Sequence, residues 1–93
     1  MKKEKTIIFC AHWDEVKYLI LKIKKNSKEY ELKGENEIEI DNHIYMFISI
    51  MSTYIDGLTF NDFLLSPLLL KKGSQKQIDL AMKLGMSGTA PYR

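Results

Sequence analysis

The sequence predicts an α+β fold in which an N-terminal antiparallel β-meander, residues 1–41, precedes a helix-turn-helix unit, residues 42–93. Short segments before residue 41 alternate apolar and charged side chains, as strands with one wet face do. After residue 42 the apolar residues recur at helical spacing, and a capping pattern opens a last amphipathic segment at Ser74. A chain of 93 residues is long enough for one core, so we expect residues 1–93 to form a single domain.

Four short segments make up the predicted meander. Residues 5–11 form an apolar run, and residues 28–33 and 37–41 alternate apolar and charged side chains. Residues 16–25 fit either an amphipathic helix or a strand. We favour the strand, because the turn signal that starts at Asn26 directly precedes the next alternating segment.

Two helices are predicted between the meander and the last helix. Asp41 or Asn42 would cap a helix over residues 42–56, since a strand there would carry apolar side chains on both faces. A short helix over residues 60–65 follows. It ends before Pro67, because proline disfavours a helical residue ahead of it.

The best-marked element is a last helix over residues 74–84. Ser74 and Gln77 form an S-x-x-Q capping box, and Gly85 suits the left-handed residue that follows a helix. Residues 87–93 then have room only for a short wing. The outward stripe of the helix consists of Gln75, Lys76, Asp79 and Lys83. Three upstream side chains are expected to pack against its inward face: Phe60, Phe63 and Leu64.

Charge is unevenly distributed along the chain, although the net charge is only +2. Residues 1–33 carry nine lysines and five acidic residues, and residues 34–65 carry six acidic residues and no basic ones. Residues 66–93 carry four lysines and Arg93 against Asp79 alone. If the two ends of the chain lie together, they would attract a polyanion. This pattern favours a nucleic-acid partner.

The candidate nucleic-acid-binding residues surround the turn before the last helix. Basic side chains neutralise phosphates, and the free N–H groups at a helix N-terminus bind them. Only Gln75 on the outward stripe can make a bidentate base contact, which favours binding that tolerates different nucleic-acid structures over direct sequence readout. Tyr92 offers a stacking surface, with Tyr45 and Trp13 as further aromatic candidates. The full predicted set is Lys71, Lys72, Ser74, Gln75, Lys76, Lys83, Tyr92 and Arg93.

Short motifs in the second half of the chain carry a resemblance to a known family. They are an L-T-F-x-D-F-L stretch at residues 58–64, the Lys72-Gly73-Ser74 turn followed by Gln77-Ile78, and a terminal Tyr92-Arg93. With these motifs, residues 40–93 resemble the small winged helix-turn-helix single-stranded-DNA-binding proteins of staphylococcal cassette chromosome elements. The resemblance implies a winged helix-turn-helix used on single strands. It also implies an accessory role in the replication or maintenance of a mobile element or phage.

A protein-binding module is the alternative. The acidic middle of the chain and the exposed edge of a small meander could dock another chain by charge complementarity or strand addition. On this interpretation the protein is an accessory subunit or inhibitor of a larger nucleic-acid-processing enzyme. A larger replication or defence enzyme is therefore a second expected partner.

Catalysis is not expected. Cys10, His12 and Asp14 alternate and would converge if their strand continued that far, but zinc sites normally need four ligands. The only other histidine is His43, and there is no second cysteine. The sequence therefore predicts no catalytic residue, metal or cofactor. A lone cysteine fits a reducing compartment, and neither a spanning segment nor a signal peptide is visible, so we expect a cytoplasmic protein without a membrane partner.

Overall fold

The structure is a computed structural model that describes residues 4–27, 29–51 and 60–88. It confirms the α+β class, with a mixed five-stranded sheet and three helices in the described residues. The order of elements is β1 (Glu4–Cys10), α1 (Trp13–Asn26), β2 (Glu31–Gly34), β3 (Glu37–Ile40), β4 (His43–Ser49), β5 (Asp62–Leu65), α2 (Pro67–Lys72) and α3 (Gln75–Gly88).

The sheet has the strand order β2-β3-β4-β1-β5. Strands β2, β3 and β4 form an antiparallel meander, whereas β1 lies between β4 and β5 and runs parallel to both. An antiparallel meander is therefore present, but it is built from β2, β3 and β4. The N-terminal strand is the centre of a parallel unit instead.

Residues 16–25 are helical, so the strand favoured for them is wrong. They lie in α1, where Val16 and Ile20 are buried one turn apart. Asp14 and Glu15 lie in the first turn and Lys24 and Lys25 in the last, which suits the helix dipole. The helix suits the topology, because parallel strands such as β1 and β4 need a long connection, which usually contains a helix.

The helix predicted over residues 42–56 is wrong in the part that is described, because His43–Ser49 is strand β4. Residues 52–56 lie outside the described residues. Asp41 and Asn42 do not cap a helix; with φ of 51° and 65° they form the two-residue turn of the β3–β4 hairpin. Strand β4 is apolar on both faces because helices cover both faces of the sheet there.

Residues 60–65 also differ from the prediction, since Asp62–Leu65 is strand β5 rather than a helix. Pro67 does not end a helix but occupies the first turn of α2, where its missing N–H costs nothing. Ser66 caps this helix, and its side chain accepts a hydrogen bond from the Leu69 N–H at 3.1 Å. The helix that precedes the last helix is therefore Pro67–Lys72.

Helix α3 confirms the predicted start of the last helix and corrects its end. The capping box is present: Ser74 Oγ accepts from the Gln77 N–H at 3.2 Å, and Gln77 Oε1 accepts from the Ser74 N–H at 3.1 Å. Gly85 does not end the helix, which continues to Gly88. A Cβ at Gly85 would overlap the Phe63 ring, so the glycine permits close packing on β5. The wing predicted beyond residue 88 lies outside the described residues, and the winged-helix interpretation stays a prediction.

Two apolar clusters fill the opposite faces of the sheet. On the α1 face, Cys10, Phe47 and Ile38 pack under Val16 and Ile20. On the other face, α2 and α3 cover the larger cluster, which contains Ile7, Phe9, Ile48, Ile50, Phe60, Leu69 and Ala81. Phe63 packs against this second cluster as predicted, but Leu64 points to the α1 face and is 52% exposed. No helix within the described residues is long and apolar enough to span a membrane.

Candidate nucleic-acid interface

The basic turn between α2 and α3 lies where the sequence predicted it. Lys71 and Lys72 form the last turn of α2 and are exposed, and Gly73 follows as the capping residue. The Gly73 N–H donates to the Leu69 carbonyl at 2.8 Å, and a Cβ at Gly73 would overlap that carbonyl oxygen. Glycine thus lets the chain turn sharply, which places both lysines next to the start of α3.

The predicted phosphate site at the start of α3 is partly occupied by the protein itself. The Ser74 hydroxyl and the Gln77 amide satisfy each other's backbone N–H groups, so Ser74 has a capping role. Gln75 and Lys76 lie in the first helical turn, where N–H groups have no acceptor within the helix. These two N–H groups are the anion-binding donors that the helix start offers.

The outward stripe of α3 is exposed, but its amide is engaged. Gln75 Nε2 donates to Asp79 Oδ1 at 2.9 Å, so the base-reading residue is tied to the one acidic residue of the helix. Lys76 and Lys83 are exposed and lie seven residues, or about two turns, apart on the same stripe. Tyr92 and Arg93 lie outside the described residues.

A shallow groove of about 340 Å³ runs from this turn to the end of β1. We call it the turn groove; it is lined by Ala11, His12, Met51, Leu68, Lys72, Gly73 and Gln77. Among these described residues, Lys72 alone has a permanently charged side chain. Gln77, besides capping α3, directs its Nε2 to the Met51 sulfur at 3.3 Å.

A second groove, of about 500 Å³, adjoins the first and shares His12 and Leu68 with it. We call it the switch-point groove. Helix α1 lines one side of it and helix α2 the other, and the lining residues are His12, Asp14, Glu15, Tyr18, Leu19, Lys22, Pro67, Leu68 and Lys71. The basic turn is therefore continuous with a cleft that also contains a lysine and a tyrosine of α1.

Tyr18 and Lys22 were missed by the sequence analysis. Both belong to the segment interpreted as a strand, in which residues four apart share a face but lie about 13 Å from each other. In a helix, residues four apart lie on one face, and Asp14, Tyr18 and Lys22 have this spacing. The helical alternative for residues 16–25 contained the signal that could have found them.

A buried carboxylate fixes the relative positions of α1 and α2. Glu15 is 7% exposed, and its Oε1 accepts from the Ala11 N–H at 2.7 Å and from the Ser66 hydroxyl at 2.8 Å. Because Ser66 also caps α2, this one carboxylate joins the end of β1, the start of α1 and the start of α2. The walls of the switch-point groove are thus held by hydrogen bonds.

Cys10, His12 and Asp14 do not converge, because β1 ends at Cys10. The Cys10 side chain is fully buried under α1, and burial, with the nearby Glu15 charge, raises the pKa of the thiol to about 12. His12 and Asp14 are exposed at the start of α1. The described residues contain no group of three side chains that could hold a metal ion.

A polar cluster on β1 and β4 has the order carboxylate, imidazole and hydroxyl. His43 Nε2 lies 2.6 Å from Thr6 Oγ1, and Nδ1 lies 4.0 Å from a Glu4 oxygen. The ring stacks on Tyr45 at 4.5 Å between centroids. Thr6 is only 5% exposed, so its hydroxyl is not open to a substrate, and Thr6 and His43 form a partly buried hydrogen-bonded pair at a strand end.

A third groove, of about 500 Å³, lies on the α1 face between α1 and β5. We call it the apolar groove. Of the described residues that line it, only Lys22 is charged, and the apolar lining consists of Ile8, Leu19, Ile23, Ile40, Tyr45, Phe47, Leu64, Leu65 and Pro67. An uncovered apolar surface of this kind is the feature that bears on the protein-binding alternative.

Comparison of the chain with protein-family models, with curated proteins and with solved structures finds no match. The function must therefore be argued from the residues and their geometry.

Proposed function

We propose that the protein binds nucleic acid, with single-stranded DNA as the preferred ligand, through the basic turn and the outward stripe of α3. The role proposed with it is an accessory one in the replication or maintenance of a mobile element or phage. The interface consists of Lys71, Lys72, Ser74, Gln75, Lys76 and Lys83, and Tyr92 and Arg93 stay predicted members of it. Neither catalysis nor a cofactor is part of the proposal, and the proposed location is the cytoplasm.

One observation carries the proposal: two consecutive lysines of α2 line two neighbouring grooves that share lining residues. Lys72 lines the turn groove and Lys71 the switch-point groove, and the two grooves share His12 and Leu68. Lys76 adds a charge and a backbone donor at the start of α3. Clustered cations on one surface attract a phosphate backbone, and neighbouring clefts accommodate bases.

Weak direct readout and exposed aromatic rings together support a preference for single strands. Gln75, the residue of α3 suited to a bidentate base contact, is bonded to Asp79, so direct readout of a duplex groove by this helix is weak. Exposed aromatic rings offer stacking instead: Tyr18 is 61% exposed and Trp13 39%. Each stacked base contributes about 1–3 kcal/mol, and every base has a face that can stack.

The test is a fluorescence-anisotropy titration against a labelled single strand and its duplex at two salt concentrations. About four phosphate contacts on a single strand would weaken binding roughly 50-fold between 50 and 200 mM salt. The paired substitution Lys72→Glu and Lys76→Glu should lower affinity roughly 100-fold with little change in Tm.

The matched control is Lys17→Glu with Lys25→Glu, which makes the same charge change on exposed lysines of α1 outside the three grooves. Equal losses in the two double variants would mean that net charge rather than this surface governs binding. If neither oligonucleotide binds at 50 mM salt, the proposal fails.

The apolar groove supports one second candidate, a module that docks on a larger replication or defence enzyme. Leu64 is half exposed on the floor of a groove with a single charged residue, which suits an apolar side chain of a partner. Leu64→Arg would then abolish co-purification with that enzyme and leave DNA binding unchanged. Retention of the enzyme by Leu64→Arg would exclude this groove as its docking site.

A further inference from the structure

We propose that the switch-point groove binds one nucleotide unit, with the base against Tyr18 and the phosphate between Lys22 and Lys71. This inference rests on the proposed nucleic-acid binding and refines it, because it names the unit of the ligand that this part of the surface recognises. The unit can be a free nucleotide or the terminal nucleotide of a strand, which have the same chemistry.

The switch-point groove lies at the carboxyl ends of two neighbouring strands. Strands β1 and β5 are parallel neighbours, so their carboxyl ends lie at the same edge of the sheet. β1 leads into α1 on one face, whereas β5 leads into α2, whose Leu69 is buried in the cluster on the other face. In open sheets, ligands bind in the crevice where consecutive connections leave to opposite faces. The switch-point groove occupies this crevice, between His12 and Pro67.

The lining of the groove combines an apolar floor with cations at its margin. Leu19, Pro67 and Leu68 provide the apolar surface, and Tyr18 adds an exposed ring. Lys22 approaches from α1 and Lys71 from α2. A planar base joined to a phosphate matches this distribution. A volume of about 500 Å³ lies within the roughly 300–1,000 Å³ of small-molecule sites.

The two acidic residues of the groove have different roles, and one of them can contact the sugar or the base of the ligand. Glu15 is turned inward to the Ala11 N–H and the Ser66 hydroxyl, so it holds the walls rather than the ligand. Asp14 is exposed at the margin, where it offsets one lysine and can accept from a sugar hydroxyl or a base amino group. Inorganic phosphate alone should therefore bind weakly, and base and phosphate should be needed together.

The experiment is an NMR titration of the ¹⁵N-labelled full chain with adenosine monophosphate, adenosine and inorganic phosphate in separate series. Saturable shifts are expected at Tyr18, Lys22, Leu68 and Lys71 with the nucleotide, and an at least tenfold weaker response with either fragment. An equal response to inorganic phosphate, or shifts confined to other residues, would overturn the proposal.

Two pairs of variants test the assignment. Lys22→Gln with Lys71→Gln should weaken nucleotide binding at least tenfold, whereas Lys17→Gln with Lys25→Gln should leave it within about twofold, since those lysines do not line the groove. Tyr18→Leu keeps an apolar side chain but removes the ring, and we expect a loss of about fivefold or more. Unchanged affinity in Lys22→Gln with Lys71→Gln would refute the phosphate assignment.

A single-stranded oligonucleotide with and without a 5′-phosphate identifies the source of the nucleotide. Tighter binding of the phosphorylated strand, lost in Lys22→Gln with Lys71→Gln, indicates a strand terminus, and no difference indicates a free nucleotide. The two proposals fail separately. If the protein binds the nucleotide but no strand, the proposed function is wrong and the nucleotide site in the groove stands. If it binds strands but not the nucleotide, only the nucleotide site is wrong.

Discussion

The two faces of the sheet differ in how completely helices cover them. On the face under α2 and α3, the β5 side chain of Phe63 meets α3 so closely that Gly85 has no room for a Cβ. On the α1 face, the next residue of the same strand, Leu64, is 52% exposed because α1 packs over β1 and β4 and leaves β5 uncovered. Adjacent residues of one strand thus lie in a closed core and an open groove.

Because of this difference, we expect the face under α2 and α3 to contribute mainly to stability and the α1 face to contribute mainly to binding. The closed face contains seven buried side chains in one cluster, so substitutions there should affect folding first. The α1 face has two grooves along its helix, one apolar and one edged by lysines, and substitutions there should affect binding first. The predictions that follow test this separation.

The largest expected effect is a contrast between two alanine substitutions on either side of the sheet. Phe60→Ala should lower the free energy of unfolding by about 3–5 kcal/mol, because Phe60 is 1% exposed in the closed cluster. Leu64→Ala should cost less than about 1 kcal/mol, since half of that side chain is already in water. Urea unfolding measures both. Similar costs would mean that β5 is covered on both faces.

The next effect concerns the buried link between the two faces. Glu15→Ala should cost about 2–3 kcal/mol, because the Ser66 hydroxyl and the Ala11 N–H lose a buried acceptor. Glu15→Gln keeps an acceptor oxygen in place and should cost less than half as much. Thermal unfolding of the two variants gives the ratio. If Gln and Ala are equally destabilising, the carboxylate charge rather than the hydrogen bonds matters.

A smaller change in stability is expected for Gly85→Ala, and its sign is informative. Gly→Ala inside a helix usually stabilises by about 0.5–1 kcal/mol, but here the new methyl group would overlap the Phe63 ring. We expect a net loss of about 1–2 kcal/mol from overpacking. In a Phe63→Ala background the same change should become stabilising, which a double-mutant cycle measures. A stabilising Gly85→Ala in the wild-type background would contradict the tight packing.

The smallest effect at neutral pH is expected at Cys10, which is sealed under the covered part of the α1 face. Its thiol should react with a disulfide reagent at pH 8 at least about 100-fold more slowly than in the unfolded chain. The folded pKa is raised from 9.0 to about 12, so the fold favours the protonated thiol. This contribution to stability is complete below pH 9 and is lost as the pH rises towards 12.

Cys10→Ala removes the titrating thiol and should therefore lose less stability between pH 9 and 11 than the wild-type protein does. Parallel curves for the two proteins, or rapid modification of the native thiol at pH 8, would mean that the α1 face is open there too.

Several features depend on residues that are close together in the sequence, and the sequence alone predicts them. The capping box of Ser74 and Gln77 forms as predicted because its hydrogen bonds span only three residues. Most of the alternating segment predicted at residues 37–41 is strand β3, Glu37–Ile40, where Ile38 is buried under α1 and Glu39 pairs with Lys33 at 3.3 Å. The α+β class and the basic turn at Lys71 and Lys72 follow from patterns of the same kind.

The rest was decided by tertiary structure, because burial on two sides removes the pattern that distinguishes helix from strand. Residues 44–48 are apolar or aromatic throughout since β4 lies between β3 and β1 with helices on both faces, and such a run looks helical in isolation. Because β4 is parallel to β1, the chain needs a long connection between them, and residues 16–25 form the helix in that connection. That helix, in turn, brings Tyr18 and Lys22 to Lys71. The sequence contains these residues, but only long-range strand pairing determines that they meet.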